Sequence, residues 1–458
     1  MLTYNLKKAP GVPLYEALYR CIRADILTGV LKPGEKLPSK RALAANLEIS
    51  KITVEGAYDQ LLAEGYIRAR EKVGYFVEAI EATAPTPIPN HNLEQSQPET
   101  FAIDLTANSC TGFPFSVWSK LQREVMLDLG EQLLLPLPNQ GLWELRCAIS
   151  EHLSGFRGMQ VHPENILIGA GTDFLYNLLI QLLGRDKVYA VEEPGYDKIR
   201  KIYRANEVIC MGAPMDAWGV CPEALQHAHV LHISPSHHFP TGLVTPVGRR
   251  QELLEWASAT QERYIIEDDY DSEFRFDAHP MPTMASLDRA GRVIYMNTFS
   301  KSLASSIRIS YMVLPESLTQ RFQNNLGFYS CTVPSFEQYA LARFLHRGYF
   351  EKHINRMRKA YRARRNQVVA ALQESPFASA LTILEQNAGL HFLLKVQTDL
   401  EDETLVSLCR ENGIRIRCLS SYYHGPVPEE DLHCLVVNYS GLSQTQIPLL
   451  TQKLREMA

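Results

Sequence analysis

A run of alternating prolines limits what can fold on either side of it. The segment Ala84-Pro85-Thr86-Pro87-Ile88-Pro89 cannot join a helix or a central strand, because proline lacks the backbone N–H that both structures use. A polar stretch follows and ends at Glu99. We therefore expect a linker over 81–103, with one domain over 10–80 and a second domain over 104–458.

Composition places both domains among ordinary globular proteins. The chain has 458 residues, of which 45% are hydrophobic and 21% are charged, and these values exclude wholesale disorder. No apolar run reaches the roughly 18 residues that a membrane span needs, and the N-terminus lacks the apolar core of a signal peptide. The nine cysteines form no CxxC pair, which favours a reducing cytoplasm over a zinc or disulfide scaffold.

The first domain has the pattern of a winged helix-turn-helix. Apolar residues at four-residue spacing predict a first helix with one inward stripe, namely Leu14, Leu18, Ile22 and Ile26. Ser39 and Ser50 are good N-caps for two further helices, and the third helix is expected to turn these residues inward: Val54, Ala57, Leu61 and Leu62. Two short β-type runs follow, joined by the hairpin tip Glu71-Lys72-Val73-Gly74.

The first domain, which we call the head, is mildly basic although the whole chain is acidic. Residues 1–80 hold seven lysines and five arginines against nine acidic residues, whereas the formal net charge of the chain is −5. Hydroxyls near helix starts and basic side chains suit contacts to double-stranded DNA. The candidate DNA-binding residues are Ser39, Arg41, Ser50, Lys51, Thr53, Arg70, Lys72 and Gly74. The alternative is a three-helix protein-binding module with a solvated basic face.

Three segments of the head resemble the GntR-type winged helix. They are Leu37-Pro38-Ser39-Lys40-Arg41-Ala42-Leu43-Ala44, Ser50-Lys51-Ile52-Thr53-Val54 and Gly74-Tyr75-Phe76-Val77. Two departures bear on which DNA sequence is preferred. Lys51 stands where that family usually has arginine, the residue with a bidentate fork suited to guanine, and Glu55 stands where many relatives place a base-reading arginine.

Beyond the linker, short β-branched runs alternate with helical stretches. This alternation predicts a mostly parallel, doubly wound α/β sheet, with strands near 165–168, 187–191, 229–233, 264–267 and 292–296. Ligands in such sheets bind at the carboxyl ends of the strands. The basic run Arg356–Arg365 is predicted to be the exposed face of a long helix rather than a nucleic-acid patch.

Two motifs of this second domain suit a phosphate and a covalent link. Gly169-Ala170-Gly171-Thr172-Asp173 follows a strand and leads into a helix, so its backbone N–H groups could approach a phosphate. Lys301 lies just past a strand end and Arg308 follows it, which fits a reactive amine and a phosphate clamp. Taken singly, these motifs could be an ordinary turn and a surface lysine.

Three other motifs suit a flat, cationic heterocycle. Tyr196 could stack on such a ring, although a loop tyrosine more often packs against protein. The acidic run Glu267–Phe274 follows an apolar strand, so one carboxylate should be buried, where a protonated pyridine nitrogen would stabilise it. His237 and His238 precede a Pro-Thr-Gly turn, and no metal site is expected there because no cluster at ligand spacing accompanies them.

In this order the five motifs resemble the fold-type I aminotransferases, which use pyridoxal 5′-phosphate (PLP) and add a smaller C-terminal α+β domain. The resemblance implies that Lys301 is the catalytic, Schiff-base lysine and that Asp268 is the partner of the pyridinium nitrogen. It implies that Tyr270 bonds the phenolic oxygen and that Tyr196 stacks on the ring. It also assigns the phosphate to Gly171, Thr172, Asp173, Ser300 and Arg308.

The substrate end departs from that family. Phe239 stands where transaminases usually have an asparagine before Pro-Thr-Gly. They also usually carry a carboxylate-binding arginine in a late strand, and the corresponding run Cys434–Ser440 has none. Lys198, Arg415 and Arg417 are candidates to replace it.

A GntR-type head joined to an aminotransferase-like body resembles the MocR subfamily of bacterial transcription regulators. The resemblance implies a homodimer that binds double-stranded DNA and senses PLP or its adduct with an amino compound. The alternative is a working PLP-dependent aminotransferase with an appended DNA-binding head. A third interpretation is a body that has lost its cofactor and only dimerises.

Overall fold

The computed structural model describes residues 2–4, 6, 13–79, 101–107, 112–275, 281–384 and 389–456. The chain divides into two compact units, Met1–Pro98 and Glu99–Ala458. Most of the predicted linker, residues 81–100, lies outside the described residues.

The first unit folds as helices followed by a hairpin. Its elements are α1 (Leu14–Leu27), α2 (Lys40–Leu47), α3 (Lys51–Ala63) and the antiparallel strands β1 (Ile67–Arg70) and β2 (Gly74–Val77). Ser39 begins α2, since its hydroxyl accepts the N–H of Ala42 at 3.2 Å. Ser50 begins α3 by accepting the N–H of Thr53 at 3.1 Å. Both caps satisfy backbone donors that a helix start leaves unpaired.

One face of each helix forms the core of this unit. Leu18, Ile22 and Ile26 are buried as predicted. The prediction was wrong for Leu14, which is 46% exposed because it is the first residue of α1, at the end of the packed face. It was also wrong for Leu62, which is 36% exposed. This residue follows a fully buried leucine, and adjacent helical residues point about 100° apart.

The second unit contains a large sheet wrapped by helices. It begins with β3 (Ile103–Asp104), α4 (Phe115–Leu129), α5 (Trp143–Arg157), β4 (Ile166–Gly169), α6 (Thr172–Leu183), β5 (Val188–Glu193), α7 (Asp197–Ala205), β6 (Ile209–Asp216) and β7 (Gly219–Val220). It continues with β8 (Val230–Ile233), α8 (Val247–Ser258), β9 (Tyr264–Asp268), α9 (Met284–Leu287), β10 (Val293–Thr298), α10 (Phe299–Ser302) and β11 (Ser310–Val313).

Strand order in the large sheet is β4-β11-β10-β9-β8-β5-β6-β7. The five strands from β10 to β6 pair in parallel, while β11 and β7 pair antiparallel to their neighbours. All six residues of β10 are buried, as in a sheet covered by helices on both faces. The prediction of a mostly parallel α/β sheet is confirmed.

A smaller α+β part follows the large sheet. Its elements are α11 (Glu316–Leu326), α12 (Ser335–His346), α13 (Tyr349–Gln373), β12 (Leu381–Leu384), β13 (His391–Val396), α14 (Asp402–Glu411), β14 (Ile414–Arg415), β15 (Arg417–Cys418), β16 (Cys434–Asn438) and α15 (Gln446–Glu456). Strands β12-β13-β16-β15 form an antiparallel sheet in that order, and β14 pairs with β3.

The basic run Arg356–Arg365 belongs to α13. It was predicted to lie on an exposed helix face, but several of its arginines form hydrogen bonds to other parts of the second unit. Arg356 donates to the carbonyl of Gly112 at 2.8 Å, and Arg358 donates to that of Glu273 at 2.5 Å. Arg364 reaches the carbonyl of a residue just after β16. These arginines attach the helix to the rest of the unit. Among the described residues, no helix combines the length and apolar character needed to cross a bilayer.

Candidate functional site

The carboxyl ends of the parallel strands open on a cavity of about 440 Å³. Most of the predicted cofactor-binding residues line it, namely Thr172, Asp173, Tyr196, Asp268, Tyr270, Ser300, Lys301 and Arg308. Motifs that are distant in the sequence meet here because parallel strands end at the same edge of a sheet. Their individual roles remain predictions.

One end of the cavity suits an anion. Gly171 precedes α6 with φ +90°, and a Cβ atom there would lie 2.1 Å from Nη2 of Arg308, so the guanidinium packs directly against the glycine backbone. The hydroxyl of Ser300 is buried without a hydrogen-bond partner among the described residues. A helix N-terminus, a guanidinium and an unused hydroxyl together form a suitable environment for a phosphate. Asp173 lies beside them and accepts from Arg308 at 3.4 Å and from Lys198 at 2.7 Å.

The cavity lining also includes a buried carboxylate. Asp268 ends β9, and its Oδ2 accepts the hydroxyl of Tyr176 at 2.5 Å and lies 3.7 Å from Nε2 of His232. Its Oδ1 is buried with no hydrogen-bond partner among the described residues. An unpaired buried carboxylate oxygen is costly. It therefore indicates a cationic or strongly donating ligand, which a protonated pyridine nitrogen would be.

Tyr270 is supported by a histidine and a second carboxylate. Its hydroxyl lies 3.3 Å from Nδ1 of His237, and the same nitrogen lies 2.8 Å from Oδ2 of Asp271. Burial, reinforced by the charge of Asp271, raises the pKa of Tyr270 well above its ordinary value. The phenol therefore keeps its proton at neutral pH and can donate it to an oxygen of a ligand.

The second histidine of the pair faces another carboxyl group. Nε2 of His238 lies 3.6 Å from Oε2 of Glu192, which accepts the N–H of Ser234 at 3.0 Å. Burial raises the pKa of Glu192 to about 8 and lowers the pKa of His238 to about 3, so both groups are neutral at pH 7. Within the described ranges, no three His, Cys, Asp or Glu side chains are arranged to hold a metal ion.

Lys301 reaches the cavity from a short helix at the end of a central strand. The hydroxyl of Thr298, the last residue of β10, accepts the N–H of Ser300 at 3.1 Å and starts α10. This turn places the lysine one residue beyond the unused hydroxyl of Ser300, and both residues line the cavity.

The part of the cavity wall around Phe239 is aromatic. The ring centroid of Phe239 lies 5.9 Å from that of Tyr196 and 5.3 Å from that of Tyr422. Lys198 and Arg417 also line the cavity. Arg415, the third cation predicted to replace the missing arginine, is not among the lining residues and lies 3.5 Å from Asp104.

Several site residues were missed by the sequence analysis: Tyr176, Glu192, His232, His391 and Asn438. Tyr176 follows the phosphate motif by one helical turn, and this spacing could have placed it on the same face of α6 as Thr172. The others come from separate strands, and no local pattern in the sequence marks them.

The predicted DNA-binding residues surround α3 and the hairpin of the first unit. The cationic ones, Arg41, Lys51, Arg70 and Lys72, are exposed. The hydroxyl of Thr53 lies 2.9 Å from that of Ser50. Ser39 and Ser50 cap helices, and Gly74 opens β2 with φ +134°.

Glu55, the departure from the GntR pattern, does not stand alone on this surface. Its carboxylate lies 3.0 Å from Nζ of Lys40, which also lies 3.1 Å from Asp59. The acidic residue is thus paired within the unit, and the exposed cations of the surface lie on either side of it in the sequence.

Two family models match the chain. The model described as aminotransferase class I and II covers residues 101–454, and the model described as bacterial regulatory proteins, gntR family, covers residues 14–77.

Curated relatives match the chain over nearly its whole length. The HTH-type transcriptional regulator YhdI of Bacillus subtilis is 37% identical over 99% of this chain and 97% of its own. "Probable rhizopine catabolism regulatory protein MocR" of Rhizobium meliloti is 32% identical over 95% of this chain and 92% of its own. The HTH-type pyridoxine biosynthesis transcriptional regulator PdxR of Corynebacterium glutamicum is 31% identical, with coverage of 88% and 87%.

Solved structures share the fold of the second unit. Kynurenine aminotransferase of Pyrococcus horikoshii superposes with a TM-score of 0.68 at 24% identity and covers 79% of this chain and 91% of its own. An archaeal alanine:glyoxylate aminotransferase gives the same TM-score at 23% identity, with coverage of 79% and 92%.

Proposed function

The chain belongs to the MocR subfamily of GntR-type regulators, and we propose that it is a transcription regulator that binds double-stranded DNA and senses PLP. Residues 10–80 would bind the DNA and residues 104–458 the cofactor, with 81–103 as the linker. The names of the relatives support the first part: two are HTH-type transcriptional regulators and one is a regulatory protein. The unpaired Oδ1 of Asp268, in the same cavity as Lys301, carries the second part. A DNA-binding regulator of bacteria acts in the cytoplasm.

The residues present fit the cofactor. Lys301 would hold its aldehyde carbon, Asp268 its pyridine nitrogen and Tyr270 its phenolic oxygen, while Tyr196 covers the ring. The phosphate would be held by Ser300, Arg308 and the start of α6 at Gly171, Thr172 and Asp173. When bound, the cofactor supplies an aldehyde that reacts reversibly with amines and a ring that withdraws electrons.

Residues around the cavity orient Asp268 and affect the protonation of Tyr270 and Glu192. The hydroxyl of Tyr176 donates to Oδ2 of Asp268, which leaves Oδ1 to bind a protonated ring nitrogen. Tyr270 keeps its hydroxyl proton, because burial raises its pKa. Glu192 is neutral at pH 7, since burial raises its pKa to about 8, and it therefore does not compete with Asp268 for that cation.

Sensing requires that the ligand bind two arrangements of the protein with different affinity. A homodimer would present two winged helices to two half-sites about 10 bp or a multiple of it apart. The cofactor, or its adduct with an amino compound, would change how the two bodies pack and so change the spacing of the heads.

A DNA mobility shift with and without PLP tests this function on wild type and Lys301→Ala. We expect PLP to change the DNA affinity of wild type and to leave that of the variant unchanged. Identical binding in all four samples would contradict sensing. A visible absorption spectrum of each sample shows independently whether the cofactor is bound.

A working aminotransferase is the second candidate, because Lys301, Asp268 and Tyr270 all line the cavity. A lysine at this place can also carry a proton between atoms of a bound amine. Steady turnover of an amino donor with a keto acid would favour the enzyme. A single conversion without further turnover would favour the regulator.

A further inference from the structure

A buried pair of side chains contacts the hydroxyl of Tyr270. Nδ1 of His237 lies 2.8 Å from Oδ2 of Asp271 and 3.3 Å from the hydroxyl oxygen of Tyr270. The side chains of the pair are only 4% and 2% exposed, so they are largely shielded from water. One ring nitrogen thus faces two oxygens, and a single nitrogen can either donate or accept a hydrogen bond at that position.

The partners of this nitrogen determine where its proton lies. A carboxylate accepts hydrogen bonds and does not donate them, so the contact with Asp271 requires Nδ1 of His237 to carry the hydrogen. A nitrogen that carries hydrogen has no free lone pair, and it therefore cannot accept the proton of Tyr270. The tyrosine oxygen can share the N–H as a second acceptor, while its own proton must point to another oxygen.

The surroundings hold the imidazole ring in this orientation. A Cβ atom at Gly389 would lie 1.8 Å from Cε1 of His237, on a backbone with φ +67°, so the ring packs directly against the glycine backbone. His391 packs against the same ring with its centroid 4.7 Å away, and its own Nε2 lies 3.1 Å from the carbonyl of Pro240. These contacts restrict rotation of the ring and fix the direction of Nδ1.

Four other ionisable groups lie near the imidazole and are neutral or cationic. Burial lowers the pKa of His391 well below its ordinary value and the pKa of His238 to about 3, so both are neutral at pH 7. Arg157 and Arg275 line the same small space as the imidazole, and a guanidinium donates hydrogen bonds without accepting them. The negative charge that fixes the proton on Nδ1 therefore comes from Asp271.

We propose that His237 and Asp271 are positioning residues that direct the hydroxyl proton of Tyr270 toward the phenolic oxygen of the cofactor. The inference rests on the proposed function, in which Tyr270 lines the cavity and binds that oxygen. A donor aimed at this oxygen stabilises its anionic form, because hydrogen bonds to charged groups are the strong ones. The pair thereby helps to set the pH at which the visible absorption of the cofactor-loaded protein changes.

A pH titration of the visible absorption band tests this proposal on the full-length protein loaded with PLP. In Tyr270→Phe the phenolic oxygen loses its donor and becomes more basic, so the midpoint should rise by about one pH unit. Asp271→Asn keeps the shape of the pair but favours the other tautomer of the histidine. Nδ1 then competes for the proton of Tyr270, and the midpoint should rise by about 0.5 to 1 unit.

The direction of the shift separates positioning from a direct electrostatic effect. Removal of a negative charge makes a nearby oxygen less basic, so an effect of charge alone in Asp271→Asn would lower the midpoint. If the pair acts through Tyr270, Asp271→Asn should cause no further rise in the Tyr270→Phe background, because residues that act as one unit are not additive.

Two further variants complete the test. Gly389→Ala retains all three polar groups but pushes on the imidazole, so its midpoint should also rise. Asp216→Asn is the matched control, since this aspartate pairs with Arg249 at 2.8 Å and does not line the cavity. Its midpoint should equal that of wild type.

The outcomes separate this inference from the proposed function. A raised midpoint in Asp271→Asn that disappears in the Tyr270→Phe background supports it. An unchanged or lowered midpoint in Asp271→Asn, or an equal rise in both backgrounds, overturns it and leaves cofactor binding intact. Loss of the band in Asp271→Asn while Tyr270→Phe keeps it also overturns it, because the pair then does more than orient one hydroxyl. A wild type without a band contradicts the proposed function itself, and the inference with it.

Discussion

The two units present their functional groups in opposite ways. In the head, the predicted DNA-binding cations such as Lys51 are exposed around α3. In the body, Asp268 is only 6% exposed, and the hydroxyl of Tyr176 donates a hydrogen bond to its carboxylate. Charges in water interact weakly, whereas enclosed charges interact strongly and are costly when unpaired. We therefore expect a single substitution in the head to weaken DNA binding slightly, and a single substitution in the cavity of the body to weaken PLP binding strongly.

The largest effect is expected for Asp268→Ala. Removing one partner of a buried, charged hydrogen bond costs about 2–5 kcal/mol, so PLP affinity should fall by about 100-fold or more in an absorption titration. Asp216→Ala is the control, because this carboxylate is more exposed and pairs with Arg249 at 2.8 Å. Unchanged PLP affinity in Asp268→Ala would show that the enclosed carboxylate does not contribute to PLP binding.

A smaller effect is expected for Gly171→Ala. The new methyl group would lie 2.1 Å from Nη2 of Arg308, on a backbone with φ +90°, so the guanidinium must move away from the start of α6. We expect about 10-fold weaker PLP binding, since such backbone strain costs roughly 1–3 kcal/mol.

Gly248→Ala is the matched control for this glycine. It lies in α8 with no atom within 4 Å of the added methyl group. PLP affinity should not change, and stability should stay equal or rise, because alanine favours a helix over glycine. If both alanine variants bind PLP with the same affinity, the close approach of Arg308 to Gly171 does not contribute to PLP binding.

The smallest effect is expected in the head, for Lys51→Ala. Loss of one exposed phosphate contact should weaken DNA binding about threefold on every sequence and reduce the slope of log K against log salt by about 0.9. Fluorescence anisotropy at several salt concentrations measures both quantities. Lys120→Ala in the body, whose lysine pairs with Glu124, should leave the slope unchanged. A 100-fold fall in the DNA affinity of Lys51→Ala, or a salt slope equal to that of wild type, would contradict the expected difference between the two units.

The fold was predictable where the signal is local. Ser39 and Ser50 mark helix starts because a capping hydroxyl acts within three residues. The strands before Asp268 and Lys301 contain the apolar runs Tyr264–Ile266 and Val293–Met296, as expected of buried parallel strands. Leu62 was assigned to the wrong face because α3 packs along a single face, which Leu61 occupies, and Leu62 lies beside that face at 36% exposure.

The site was predictable at its cofactor end and not at its substrate end. The motifs around Lys301 and Asp268 stand in a fixed order along the chain, whereas the bond from Tyr176 to Asp268 joins residues 92 positions apart. The choice between Arg415 and Arg417 depends on strand register. Shifting a register by one residue reverses the face of every side chain, and the sequence alone does not specify this register.

Reduction with borohydride after incubation with PLP tests the central claim, that Lys301 holds the cofactor in the body. The account predicts a visible absorption band that reduction removes, and a pyridoxyl group on the peptide that contains Lys301. In Lys301→Ala, the band and the modified peptide should both be absent. A colourless wild type with no modified peptide, or a modification confined to another lysine, would contradict it.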